Sequence, residues 1–208
     1  MEEITSLGEF EYGALKEIGN IGIGNSAVSL SRLVNSLVYT RVIDIRFGLI
    51  EDIPKIEGFS DFPVMGTLIR IKEDLNGYIL VFFSEISAKS LYLSLSGEEG
   101  EKKLTDPLKL SLIEEVSHIM AGTYITSLSE FLKLNLSIST PYATYDMSDS
   151  IFNSVVTEMG YIADFALILD AEFTIKEKKI KGNILTLLDP ESLNRLLERI
   201  NAMVDQNP

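Results

Sequence analysis

The chain has no cysteine, no tryptophan and a single histidine, His118, among its 208 residues. Without cysteine, disulfide bonds, thiol nucleophiles and cysteine-ligated metal sites are excluded. A zinc enzyme or a serine hydrolase would have to work with one imidazole ring, which makes both classes poor candidates. We therefore expect a protein that holds no metal of its own.

Long apolar runs and an excess of positive charge are also missing. The longest apolar run, from Tyr78 to Phe83, is too short to cross a bilayer, and the acidic first residues lack the basic segment of a secretion signal. With 18 Lys and Arg against 31 Asp and Glu, the net charge is −13. Such a surface repels nucleic acid and anionic lipid. We expect a cytoplasmic protein that binds neither nucleic acid nor membrane.

The remaining composition, 46% hydrophobic and 24% charged, is typical of a folded soluble domain. Apolar periodicity predicts long helices over 9–36 and 104–134, and shorter helices over 86–95, 148–158 and 190–203. Alternating and β-rich segments predict six strands, at 37–45, 64–71, 77–83, 137–145, 163–175 and 181–188. Asn76-Gly77 and Lys181-Gly182 predict hairpin turns, which join antiparallel strands.

The two halves of the chain resemble each other. The strand that begins at Gly77 aligns with the one that begins at Gly182, an offset of 105 (182 − 77), and Glu17 aligns with Glu115, an offset of 98 (115 − 17). Two matches in the same order favour duplication over a chance likeness of apolar segments. We predict one α+β domain over 1–208, with pseudo-two-fold halves at about 8–97 and 104–203 and helices packed on a largely antiparallel β-sheet.

The sharpest local feature is the segment Glu17-Ile-Gly-Asn20-Ile-Gly-Ile-Gly24. On a helix, residues i and i+3 share a face, so Glu17 and Asn20 should project side by side while Ile18 and Ile21 point into the core. Each of the three glycines costs about 1 kcal/mol relative to alanine in a helix, which close approach of a backbone or a partner would explain. Their spacing does not fit a nucleotide-binding loop, and we reject that reading.

The segment 16–25 resembles the first signature of the CheC/CheX/FliY family of response-regulator phosphatases. In that family a Ser or Asp stands four residues before the Glu of Glu-x-x-Asn, and a Pro follows the Asn by 23 residues. The second copy has Ser111, Glu115 and Pro141 at these positions (141 − 118 = 23) but replaces the asparagine with His118. The first copy keeps Glu17 and Asn20, while Gly13 and Ile43 replace the Ser and the Pro.

The resemblance implies a phosphatase that hydrolyses the aspartyl phosphate of a CheY-type response regulator. Its catalytic residues would be Glu17 and Asn20 in the first copy and Glu115 and His118 in the second. An asparagine amide can accept from water and donate to phosphoryl oxygens, so Asn20 would orient the attacking water. Glu17 would pair with a basic residue of the regulator. No cofactor of the chain's own is implied, because the bound regulator supplies Mg²⁺. We expect the first site to be active and the second, with its bulkier ring, to be weak or silent.

Two other functions remain open. The chain could be an adaptor that sequesters the deamidase CheD or the phosphorylated regulator. The resemblance then implies docking on the helix at 148–158, around Asp146, Met147, Ile151 and Phe152. Alternatively, it could be a structural component of the flagellar switch. The length of the chain favours a monomeric member of the family.

Overall fold

The computed structural model describes residues 7–50, 62–96, 104–158, 165–175 and 178–203. Within these ranges lie five helices and seven strands. The helices are α1 (Glu9–Leu33), α2 (Glu85–Ser96), α3 (Pro107–Leu132), α4 (Ser148–Glu158) and α5 (Pro190–Asn201). The strands are β1 (Val38–Leu49), β2 (Pro63–Glu73), β3 (Gly77–Ser84), β4 (Leu136–Ile138), β5 (Tyr142–Met147), β6 (Phe165–Ile175) and β7 (Lys178–Leu188). None of these helices is long and apolar enough to cross a membrane.

All seven strands form one sheet in the order β1-β6-β7-β3-β2, and β4 and β5 both pair with the outer edge of β2. Every pairing is antiparallel. This confirms the predicted α+β class. The strands β1, β2 and β3 of the first half correspond to β4/β5, β6 and β7 of the second. When each strand is replaced by its counterpart, the strand order read from one edge of the sheet equals the order read from the other edge. The boundaries of the two halves stay a prediction.

The central pair of strands, β3 and β7, joins the halves. Leu80 lies opposite Leu185, its own counterpart at the offset of 105 (185 − 80), so the local two-fold axis passes between these two leucines. Both side chains are buried. At one end of the pair, a Cβ on Gly77 would collide with the backbone of β7. At the other end, a Cβ on Gly182 would lie 2.6 Å from the ring of Phe83. Glycine at both positions therefore permits the close pairing.

The glycines of α1 fall into two kinds. Gly22 meets the backbone of α3, where an added Cβ would lie 2.7 Å from the Cα of Tyr124, and a Cβ on Gly19 would collide with Leu169 of β6. These two satisfy the expectation of close approach, and they let α1 pack against α3 and the sheet. Gly24, by contrast, is exposed, and an added Cβ would meet no described atom within 4 Å apart from the backbone of its own helix and its chain neighbours.

The two faces of the sheet carry two cores. The larger core lies under α1 and α3 and includes Ile18, Ile23 and Met120. The smaller core lies on the opposite face, where α4 packs against the sheet next to Leu80 and Leu185. Because the first face is covered by both long helices, their outer surfaces point to the same side of the molecule.

The prediction of one continuous strand over 137–145 is wrong, because the segment forms two strands, β4 and β5. The interruption at 139–141 includes Pro141, which has no N–H to donate to a ladder. Ser139 keeps contact with the sheet through its backbone N–H, which donates to the carbonyl oxygen of Arg70 at 2.9 Å.

The hairpin predicted at Asn76-Gly77 is confirmed, although its turn differs from the predicted one. The turn predicted at Lys181-Gly182 is misplaced. The β2–β3 connection covers 74–76, and its positive φ falls on Glu73 (φ 80°). Gly182 lies inside β7, opposite Ala171 and Phe83, because β7 begins at Lys178. Residues 176–177, where β6 returns to β7, lie outside the described ranges.

The β2–β3 turn is tied to the start of α5. Asp189 caps that helix by accepting from the Ser192 N–H at 2.7 Å, and the Asn76 amide donates to its other oxygen at 2.9 Å. The Asn76 N–H donates to the Ser192 hydroxyl at 2.8 Å. Burial by itself would raise the pKa of Asp189, but the hydrogen bonds from Asn76 and Ser192 and the charge of Arg195 together lower it.

We predict opposite effects of alanine at two glycines of α1. Gly22→Ala should lower the free energy of unfolding by about 1–3 kcal/mol, because its Cβ meets the backbone of α3. Gly24→Ala should raise it by up to about 1 kcal/mol, because its Cβ meets nothing and helix propensity improves. Urea unfolding followed by circular dichroism measures both. A Gly22→Ala variant as stable as the wild type would contradict the close helix packing.

The Asp189 network predicts a pH dependence of stability. A carboxylate whose pKa is lowered on folding stabilises the fold above its unfolded pKa of about 4, and that contribution is lost as the pH falls through the folded value. Asp189→Asn keeps a helix cap but cannot titrate. The difference in free energy of unfolding between wild type and Asp189→Asn should therefore shrink between about pH 5 and pH 3. A constant difference would show that the carboxylate charge contributes nothing.

Candidate active site

The helix α1 presents Glu17 and Asn20 together on its solvent face. Both are exposed, and a separation of three residues places them about 4.5 Å apart along the helix axis. Within the described part of the chain, neither side chain takes part in a hydrogen bond or an ion pair. The carboxylate and the carboxamide are therefore free to meet a ligand or another protein.

The apolar neighbours of the pair differ from the prediction. Ile18 is buried in the larger core, as expected, but Ile21 is 39% exposed. The buried side of α1 runs through Leu15, Ile18 and Gly22, and Ile21 lies 100° around the helix from Asn20, on the open side. An apolar side chain thus borders the Asn20 amide in solvent.

The second pair, on α3, is arranged differently from the first. Glu115 is exposed, like Glu17, but His118 is half-buried, and its Nδ1 is buried without a hydrogen-bond partner among the described residues. Ser111 is exposed one turn before Glu115, and Pro141 is partly buried just before β5. Because one edge of the ring is closed off, His118 cannot offer a donor and an acceptor together as an amide can.

The first pair has the chemistry for positioning and charge pairing. Neither the Glu17 carboxylate nor the Asn20 carboxamide is an activated nucleophile, since neither forms a hydrogen bond to a base among the described residues. In the described ranges, no group of three or more His, Asp or Glu side chains could hold a metal ion. The arrangement suits a reaction in which the reactive groups belong to the bound partner.

The predicted partner-binding residues do not form one surface. Asp146 and Met147 are exposed at the end of β5, but Ile151 and Phe152 are buried in the smaller core. The prediction that all four are available to CheD is therefore wrong. The helix α4 is amphipathic, and it turns these two apolar side chains onto the sheet.

The exposed face of α1 around Asn20 is larger than the sequence predicts. Beyond Ile21 it continues through Gly24, Asn25 and Val28, all exposed. Their positions repeat at helical spacing with Glu17 and Asn20, so this pattern would have indicated the face if Ile21 had not been expected in the core.

The comparisons with known proteins point to one family. The sequence profile of the CheC-like family matches residues 108–145. This range contains the second copy of the motif, in which His118 follows Glu115 by three residues. The chain is 25% identical over 207 residues to the protein named CheY-P phosphatase CheC of Bacillus subtilis, covering 97% of this chain and 99% of that one. It is 31% identical over 145 residues to the flagellar motor switch phosphatase FliY of Bacillus subtilis, covering 67% of this chain and 36% of that one.

Solved structures share the fold. The Thermotoga maritima FliY structure superposes with a TM-score of 0.77 at 21% identity, covering 95% of this chain and 99% of that one. The FliM middle domain from H. pylori gives a TM-score of 0.64 at 11% identity, covering 93% and 99%. The architecture is thus the one found in FliY and in FliM middle domains. The CheC-like profile and the similarity to Bacillus subtilis CheC over 97% of the chain agree with the resemblance seen in its motifs.

Proposed function

We propose that this protein is a phosphatase of a phosphorylated CheY-type response regulator. The observation that carries the proposal is that Glu17 and Asn20 lie exposed on one face of α1, with no hydrogen-bond or ion-pair partner in the described ranges. This pair lies in a chain that aligns over 97% of its length with a protein named CheY-P phosphatase. A carboxamide held in the open by a rigid helix is available to enter the active site of another protein.

The chemistry is hydrolysis of an acyl phosphate. Water attacks the phosphorus in line, the bond between phosphorus and the aspartyl oxygen breaks, and inorganic phosphate and the free carboxylate leave. The Asn20 carbonyl oxygen accepts a hydrogen bond from the attacking water, and its NH₂ donates to a phosphoryl oxygen. The amide stays neutral throughout, so it adds no charge beside the phosphoryl group. The Mg²⁺ that neutralises this group belongs to the regulator.

Glu17 positions the partner. The net charge of −13 repels a phosphorylated, negatively charged site at long range, so docking needs a local attraction. Glu17 has no ion-pair partner within the described part of the chain, and it can form one with a basic side chain of the regulator's active site. Such an ion pair would fix Asn20 one turn further along α1 over the phosphoryl group.

The two copies differ in activity under this mechanism. Among the described residues, Asn20 is exposed and its side chain has no hydrogen-bond partner, whereas the Nδ1 of His118 is buried and unpartnered. A ring held in this way can present one nitrogen to water but cannot also donate to the phosphoryl group. Hydrolysis at the second copy is therefore slow or absent.

We predict that Asn20→Ala lowers the rate of stimulated dephosphorylation by about two orders of magnitude, the effect typical of losing one preorganised polar group. His118→Ala should change it less than twofold. Asn153→Ala is the matched control, since Asn153 is an exposed asparagine of α4, which packs on the opposite face of the sheet. Loss of label from a phosphorylated CheY-type regulator in Mg²⁺ measures the rates. Equal losses from Asn20→Ala and His118→Ala would contradict the asymmetric assignment.

A rescue experiment tests whether the second half of the chain can support catalysis once it carries an asparagine in place of His118. Placed in an Asn20→Ala background, His118→Asn recreates a Glu-x-x-Asn pair around Glu115 and removes a ring with an unpartnered buried nitrogen. We expect this double variant to regain part of the lost phosphatase activity. If Asn20→Ala and the double variant are equally inactive, the two halves are not equivalent as scaffolds.

The adaptor function is the weaker candidate. The part of the predicted CheD-docking surface that remains available is Asp146 and Met147. A role in the flagellar switch is suggested by the shared fold alone, and the match to Bacillus subtilis FliY covers 36% of that protein. The cytoplasmic location and the monomeric state remain predictions.

A further inference from the structure

Two large apolar side chains are exposed at equivalent positions of the two long helices. Phe10 is 49% exposed and Leu108 is 50% exposed. Each is the second residue of its helix, and the offset between them is 98 (108 − 10), the same that relates Glu17 to Glu115. A single exposed apolar residue needs no explanation, but the same exposure in both copies does.

Both apolar residues lie in line with the glutamate of their own half. Phe10 precedes Glu17 by seven residues, and Leu108 precedes Glu115 by seven. Seven residues advance about 10 Å along a helix and return to within about 20° of the same direction. Each half therefore has an apolar side chain followed, on the same line, by an exposed carboxylate.

Among the residues that the structure describes, no packing contact or helix cap requires these two side chains to be apolar. The start of α1 is capped by Glu11, which accepts from the Gly8 N–H at 2.8 Å. The start of α3 is capped by Asp106, which accepts from the Leu108 N–H at 3.0 Å. Neither cap uses the Phe10 or the Leu108 side chain, and neither residue belongs to a core cluster.

The distance from Glu17 fits an interface of ordinary size. A standard protein–protein interface buries about 800 Å² on each partner, which corresponds to a disc of about 16 Å radius. A patch of this size centred on Glu17 contains Phe10, at about 10 Å along the axis, and Asn20 as well. A protein that brings its active site to Asn20 would therefore cover Phe10.

We propose that Phe10 is an apolar anchor of the surface that docks the phosphorylated response regulator, and that it contributes to affinity without taking part in the chemistry. This inference rests on the proposed function. Aromatic anchors in the desolvated part of an interface contribute most of the binding free energy, whereas the surrounding polar contacts contribute little. The ion pair of Glu17 then supplies orientation, and Phe10 supplies the apolar contact that a strongly acidic protein needs to hold an acidic partner.

The test is a split between binding and turnover in Phe10→Ala. The probe is the receiver domain of a CheY-type regulator, activated with beryllofluoride for titrations and phosphorylated for kinetics. We expect Kd and KM to rise about tenfold and kcat to stay within about twofold. Ile86→Ala is the matched control, because Ile86 of α2 is 79% exposed and lies outside the proposed surface. Thermal unfolding should show all three proteins equally folded.

The outcomes distinguish this inference from the proposed function. A wild type that neither binds nor dephosphorylates the receiver contradicts both. A wild type that does both, with an unchanged Kd in Phe10→Ala, overturns the anchor alone, and so does a loss of kcat at constant KM. If sedimentation shows that Phe10→Ala dissolves a wild-type dimer and leaves receiver affinity unchanged, a second copy of the chain covers Phe10 and the proposal is wrong.

Discussion

The antiparallel pairing of β3 with β7 is the constraint on which the rest of the architecture depends. It places Leu80 against its counterpart Leu185 in the buried centre of the sheet and relates the two halves by a local two-fold axis. With the central strands fixed, each long helix must cover the same face, and the contact of Gly22 with the backbone at Tyr124 sets how closely the helices lie. Both glutamate-bearing surfaces consequently face away from the sheet.

A duplicated scaffold allows its two surfaces to diverge, because each helix buries one side and leaves the other free of folding constraints. The buried sides of α1 and α3 must complement each other and the sheet. On the open sides, Glu17 and Glu115 are alike, whereas Asn20 and His118 are not. The difference touches the one group that the proposed chemistry requires. The chain thus has two similar exposed helix faces, of which one carries the carboxamide that the proposed chemistry requires.

The sequence predicts secondary structure correctly where the apolar residues of a segment follow one clear periodicity. The helices at 148–158 and 190–203 and the hairpin after β2 follow from local patterns, and Glu17 and Asn20 share a face because helix geometry requires it. Packing between distant segments explains why some of the sequence-based predictions are wrong. Pro141 interrupts a strand whose flanks both pair with β2, and Gly182 lies in a strand because Phe83 packs over it. The sequence predicts Ile21 in the core, and only the packing of α1 shows that its side chain is exposed.

The most direct test of the account is a multiple-turnover assay with ³²P-labelled CheY-type regulator in Mg²⁺ and the protein at about one tenth of its concentration. If Asn20 orients water in the active site of the partner, all of the label should be released as inorganic phosphate, with many turnovers per chain and none attached to it. Decay no faster than that of the regulator by itself would contradict the proposed activity. Transfer of label onto the chain would contradict the mechanism, because it would require a nucleophile that the surface of α1 does not present.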